Sequence, residues 1–361
     1  MSQLKKKIKI AYYLTLGIFD SLYKRNKKGD SQKKGEKLLV NVGALGDMII
    51  FLANILKFSG NQKISILIDK KFQFLFSNVE NIESIYTVDS KKYSRNISYR
   101  FKTNQLMSKI FFTEVYNCKG ARMYNYEDGL IHFLNADKKI ALMHDLGLKK
   151  KFLKIINKNI YDKIINYNYE IIHELRRTHY IFNEIFKTEE NEDIFLLNIY
   201  FQEIIKNSRL SYEYILINIG AGNEKRCWNI NNFIELGNNI SKNTHYKVVY
   251  CGLEQDRKKL INSNVEINED SLNLCGKTNV SELINLICHS SLVISNDSAS
   301  IHIATYLNKK SICLKSKASE GLFVPYPEKL KLKNQKTISK NKLSNISVAE
   351  VENLFKSVIN S

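Results

Sequence analysis

The chain has 361 residues, 44% hydrophobic and 25% charged, enough for two domains with separate cores; only two prolines and 15 glycines exclude a collagen-like or low-complexity polymer. Lys and Arg outnumber Asp and Glu by 55 to 36, a net charge of +19, which directs attention to anionic partners: nucleic acid, a phospholipid surface or a phosphorylated substrate. The six cysteines at 118, 227, 251, 275, 288 and 313 form no C-x-x-C pair, so a zinc or disulfide scaffold is excluded and a reducing, cytoplasmic setting is expected.

Residues 1–37 form a basic head with 11 Lys/Arg against 3 Asp/Glu. Its apolar run falls short of the roughly 20 residues needed to cross a bilayer. Two readings stay open for this head. It is a helix lying on the anionic inner leaflet, with Tyr12, Leu16, Phe19 and Tyr23 at the acyl boundary, or a solvated helix packed on its own domain. From residue 38, "LLVNV" predicts a buried strand, followed by a glycine turn and a helix to about residue 57. "KISILID", "IESIYTV" and "TEVYNC" continue as strands alternating with helices, the rhythm of a parallel sheet covered on both faces. Residues 145–206 read as helical. At "YEYILINIG" the alternation restarts, through helix "NFIELGNNISK", strand "YKVVYCG", helix "SELINLICHSS", strand "LVISND" and helix "SIHIATYL". The expected division is a head at 1–37, α/β domains at 38–206 and 207–345, and a final helix in 346–361 free to pack back on the first domain.

Three strand-to-helix junctions carry polar chemistry. In "VGALGD", Gly43 and Gly46 bracket a turn whose free N–H groups and helix dipole attract anions, and Asp47 sits in its mouth. Asp47 is there as an N-terminal cap or as a carboxylate that takes a proton from an incoming hydroxyl; by pattern alone the cap comes first. "NIGAGNEKRCWN" places Lys225 and Arg226 beside Gly220 and Gly222, a phosphate clamp or a turn with exposed basic residues. Lys225 stands where a third dinucleotide-fingerprint glycine would be, which disfavours a nicotinamide site. "SNDSASIH" gathers Asn296, Asp297, Ser298 and His302 at the third junction, able to grip sugar hydroxyls and phosphate, or to cap a helix and fill a core.

At these residues the chain resembles glycosyltransferase family 9, the heptosyltransferases. "LLVNVGALGDMIIFLANI" is similar to the family's opening strand and G-D turn, and "INIGAGNEKRCWNINNFIEL" to its second glycine-basic segment, with Trp228 and Phe233 matching. The most specific likeness is "LCGKTNVSELINLICHSSLVISNDSASIHIATYLNKKSICL". Ala53 and Asn229 replace prolines usual in the family, and Ala299 stands where glycine is common, its methyl group narrowing the approach to the donor phosphates.

The resemblance implies an α/β, GT-B architecture of two Rossmann-like domains facing across a cleft, with the acceptor mainly on the first and the nucleotide sugar mainly on the second. It implies an inverting transfer of heptose from ADP-heptose to a lipopolysaccharide or lipooligosaccharide core, with Asp47 as general base and Lys225 or Arg226 stabilising the leaving diphosphate. Gly43, Gly46, Gly220, Ala221, Gly222, Trp228, Gly276, Asn296, Asp297, Ser298, Ala299 and His302 would line the substrate sites. No D-x-D spacing calls for a metal, and no cofactor is expected beyond the donor. Two alternatives remain: a same-fold transferase with another nucleotide sugar or a protein or capsular acceptor, and a non-catalytic sugar-nucleotide or glycan binder. Asp47 together with the Lys225–Arg226 pair favours an enzyme. Nucleic acid is the weakest partner, because the aromatics do not interleave with the basic residues as a stacking platform requires.

Overall fold

The computed structural model describes residues 36–120, 122, 124–143, 159–166, 173–188, 193–202, 210–317, 324–326, 330 and 332–360. The basic head, and with it the inner-leaflet reading, lies outside the described residues save for Glu36 and Lys37. Two compact units divide the chain, with residues up to 166 and 177–188 in the first and 173–176 and those from 193 onward in the second. The division therefore falls earlier than the expected seam near 206 and runs through one helix.

The first unit strings together β1 (Lys37–Asn41), α1 (Leu45–Phe58), β2 (Ile64–Asp69), β3 (Ile82–Val88), α2 (Ser90–Arg95), α3 (Ile97–Met107), β4 (Phe111–Asn117), α4 (Gly129–Phe133), β5 (Asn135–Leu142), β6 (Lys163–Ile165) and α5 (Glu174–Phe186). Its six strands are all parallel, in the order β3-β2-β1-β4-β5-β6. The central strand β1 is apolar through Leu38, Leu39 and Val40, each fully buried, as a strand covered on both faces must be. Residues 145–206 are not all helix: Lys163–Ile165 pair with Ile140–Leu142 as an edge strand. Three residues are too few for sequence periodicity to reveal, and the open edge of β5 is what holds them extended.

The second unit repeats the plan with β7 (Tyr214–Asn218), α6 (Ile230–Asn243), β8 (Lys247–Cys251), α7 (Glu254–Ile261), β9 (Leu272–Asn273), α8 (Val280–His289), β10 (Leu292–Asn296), α9 (Ala299–Tyr306), β11 (Ser311–Ser316), β12 (Gln335–Lys340) and α10 (Val348–Ile359). The strand order β12-β11-β10-β7-β8-β9 is, counted from β7, the same order as in the first unit. The final helix does not return to the first unit. Its Val351, Phe355 and Val358 enter the core built by Ile215, Phe233, Leu236 and Ile240, because this amphipathic face matches the exposed stripe of α6.

In each sheet the order reverses between the first and fourth strands, leaving a crevice at their carboxyl ends where ligands of such folds bind. Both strands at each reversal end on asparagine: Asn41 and Asn117 in the first unit, Asn218 and Asn296 in the second. An asparagine at such a point supplies a donor and an acceptor to backbone leaving the ladder. These positions set the candidate site.

Candidate active site

In the first unit, Asn41 accepts the Gly43 N–H at 3.1 Å and turns the chain into α1. Asp47, third in that helix, accepts the Ala44 N–H through Oδ2 at 2.8 Å. Gly43 is required by this closure, since a Cβ there would lie 2.5 Å from both Cβ and Oδ2 of Asp47. Gly46 is half-buried in the first turn. Asp47 is thus a cap, yet its side chain keeps 14% exposure and Lys119 Nζ lies 3.7 Å from Oδ2.

Lys119 was not singled out by the sequence. It follows β4, which the sheet order sets directly beside β1. It also reaches Glu127 Oε1 at 3.4 Å. Glu127 is 1% exposed, and burial pushes its carboxyl up in pKa while Lys119 pulls it back. Next to it Asp128 Oδ1 accepts from Arg122 at 3.2 Å, Asn117 at 3.2 Å and Tyr161 at 2.5 Å, all buried. The sequence signal for this cluster was a weaker family likeness running through "VYNCKGARMYNYEDGLIHFLNADKKIA", which singles out none of these residues.

In the second unit, Asn218 Nδ2 reaches Gly220 O at 3.1 Å and the hydroxyls of Ser295 and Ser298 at 3.2 Å each, joining the ends of β7 and β10. Ser298 caps α9, accepting the Ser300 N–H at 3.3 Å, with Ala299 following at the first helical position. Asp297 is nearly buried and Arg226 Nη1 stands 3.9 Å from its Oδ2. Gly222 leaves room for that arginine, whose Nη2 would lie 3.1 Å from an added Cβ. Lys225 is exposed on a one-turn helix, Glu224–Arg226, with Ala221 half-buried before it. The structure thus brings Arg226, Asp297, Ser298 and the glycine loop together, and leaves Lys225 at the rim.

Other residues expected at the substrate sites have framework contacts. Asn296 is fully buried: its Oδ1 accepts the Trp228 N–H at 2.8 Å and its Nδ2 donates to Ile219 O at 2.9 Å, clamping the loop at both ends. Trp228 lies in the core, 2% exposed, edge-on to Phe233 and donating its indole N–H to Ile346 O at 3.0 Å. Gly276 takes φ +72° with Glu254 close behind it, so glycine is there for the backbone. Gly220 likewise admits the Asp256 carboxylate, which a Cβ would overlap. His302 is 4% exposed, with Nδ1 2.6 Å from the Tyr326 hydroxyl. Among the described residues no His, Cys, Asp or Glu cluster has the makings of a metal site, and no helix is long and apolar enough to cross a membrane.

Comparison with known proteins gives this geometry a lineage. The family model of glycosyltransferase family 9 (heptosyltransferase) matches residues 152–350. Lipopolysaccharide heptosyltransferase 1 of Campylobacter coli is 23% identical over 298 residues, 76% of this chain and 82% of its own length. Among solved structures, a family 9 glycosyl transferase from Veillonella parvula covers 91% of this chain and 98% of its own at a TM-score of 0.68 and 17% identity. E. coli heptosyltransferase WaaC, solved with ADP, covers 90% of this chain and 99% of its own at a TM-score of 0.70 and 14% identity. The family match spans more than half of the sequence and the two units carry the GT-B two-domain fold: the chain belongs to glycosyltransferase family 9, the heptosyltransferases, and is a glycosyltransferase.

Proposed function

We propose that the enzyme moves a heptose from ADP-heptose to a hydroxyl of a lipopolysaccharide or lipooligosaccharide core, in one displacement that inverts the anomeric carbon. Asp47 Oδ1 accepts the proton of the attacking hydroxyl as the new glycosidic bond forms. The bond to the β-phosphate oxygen breaks and ADP departs with the electron pair. Arg226, with Lys225 at the rim, neutralises the charge that grows on the diphosphate, and the amides around Gly220–Gly222 and Ser298 receive its oxygens. Asp297 accepts hydroxyl protons of the donor. The scheme draws its base from the first unit and its donor site from the second.

Asp47 carries this reading. The second unit builds the same Gly-x-x-x-Asp cap at Gly252–Asp256, where Asp256 Oδ2 accepts the Leu253 N–H at 2.8 Å and the residue is 3% exposed. Asp47 in the equivalent turn keeps 14% side-chain exposure and has a lysine beside it. The donor is supported by the relatives' own names and by a WaaC structure with ADP-2-deoxy-2-fluoro heptose. Replacement of Asp47 by Asn retains the size and should cut turnover of ADP-heptose by about 10²- to 10⁴-fold. Donor affinity in calorimetry should stay put. Turnover within a few-fold of wild type removes the base assignment.

A further inference from the structure

The sheet order brings the loop after β4 against the mouth of α1, and so joins two acids through one lysine: Asp47 Oδ2 to Lys119 Nζ at 3.7 Å, and Lys119 Nζ to Glu127 Oε1 at 3.4 Å. We propose that Lys119, held in place by the buried carboxyl of Glu127, is a positioning residue for Asp47, fixing how its carboxylate is turned toward the acceptor. The proposal rests on the reading of Asp47 as the base.

Three observations support it. First, Lys119 is only 19% exposed and Glu127 is 1% exposed, so the ammonium is held between two fixed acids instead of ranging through solvent. Second, the loop that carries Glu127 is itself anchored. Asp128 is tied to Arg122, Asn117 and Tyr161, while Arg100, lying over the rings of Tyr93 and Tyr124, donates to Tyr124 O and Asn125 O at 3.4 Å each. Third, the cap bond and Lys119 both act on Oδ2, so contacts from two separate elements fix one oxygen of the carboxylate.

Burial raises the Glu127 pKa and the neighbouring Asp128 raises it further, against Lys119, so the ionisation of this carboxyl comes at a higher pH than an exposed glutamate's and reports on the ammonium beside it. Asp128 in turn faces Arg122 and Tyr161.

The experiment compares full-length wild type, Lys119→Met, Lys119→Arg, Glu127→Gln and Asp47→Asn. It measures kcat and donor KM against pH with ADP-heptose and a core acceptor, with melting temperatures, and titrates the Glu127 side-chain carbon by NMR without substrate. Lys119→Met should lose about 10- to 100-fold in kcat, the kinetic equivalent of one charge-assisted contact, with donor KM within about threefold. Lys119→Arg should recover most of that loss. Glu127→Gln should lower kcat in the same direction with donor KM again near wild type, and in Lys119→Met the Glu127 titration should move to still higher pH. Wild-type kcat in Lys119→Met, wild-type kcat in Glu127→Gln, or a loss equal in the Arg and Met variants with melting temperatures lowered alike would each overturn the proposal. Should Lys119→Met not fold, Lys119→Arg and Glu127→Gln decide it through kcat against donor KM. Full turnover in Asp47→Asn sinks the base reading instead, whereas the Glu127 titration in Lys119→Met is read without substrate and does not depend on that reading.

Discussion

At the residue scale, Asp47 differs from the buried capping Asp256 in its 14% side-chain exposure and in the lysine beside it. Asp47 and Asp256 occupy equivalent turns and make the same cap bond at 2.8 Å, and only their surroundings differ. Gly43 is the partner that makes the Asp47 turn possible. Gly43→Ala would put a Cβ 2.5 Å from the Asp47 side chain. The acid must then move, so kcat should fall with it and stability should drop by about 1–3 kcal/mol, as overpacking does, in turnover and denaturant unfolding. Gly276→Ala adds backbone strain to a close approach: at φ +72° an alanine costs about 1–2 kcal/mol, its Cβ would also press on Glu254, and the loss should appear in unfolding. Four of the six cysteines are buried, and burial pushes the thiols of Cys118, Cys251 and Cys313 well up; all six are free.

At the element scale, the asparagines that end β1, β4, β7 and β10 connect a regular sheet to irregular, ligand-facing backbone. Asn296 is the clearest case. Asn296→Ala would strip a partner from the Trp228 N–H and from Ile219 O, both buried, at about 1–3 kcal/mol for each group left unpaired. The loop bearing Arg226 should then loosen, which hydrogen exchange at the Trp228 amide and donor affinity would both register. In the first unit, the pairing of Arg122 with Asp128 plays the equivalent part. Their side chains are fully buried, so Arg122→Met leaves an uncompensated carboxylate and should destabilise by about 3–5 kcal/mol, read in chemical denaturation.

At the scale of the whole molecule, the same strand order appears twice, and each copy offers a crevice at its reversal point. One crevice holds an acid with a lysine, the other an arginine with glycines and hydroxyls, a division of labour suited to a reaction that needs a base and an anion site. Much of the net charge of +19 lies in the head, whose 11 Lys/Arg against 3 Asp/Glu supply +8. We propose that this segment holds the enzyme to the anionic inner face of the membrane. A form lacking residues 1–30 should no longer sediment with vesicles containing anionic lipid, while the full chain sediments in low salt and is released by high salt. Equal sedimentation of both forms refutes it.

The sequence by itself determined the local units: apolar runs fixed β1, β7 and β10, and the turn chemistry after them marked Asp47, Arg226 and Asp297, because backbone periodicity and capping are set by neighbours along the chain. It also held the family signature. Only the tertiary structure decided which strand ends lie side by side, and with that, that Lys119 meets Asp47 from 72 positions away with Glu127 behind it, that Trp228 supports the core, and that the last helix covers the second unit. Strand order is a long-range choice, made by how buried faces pack, and no local window of residues encodes it.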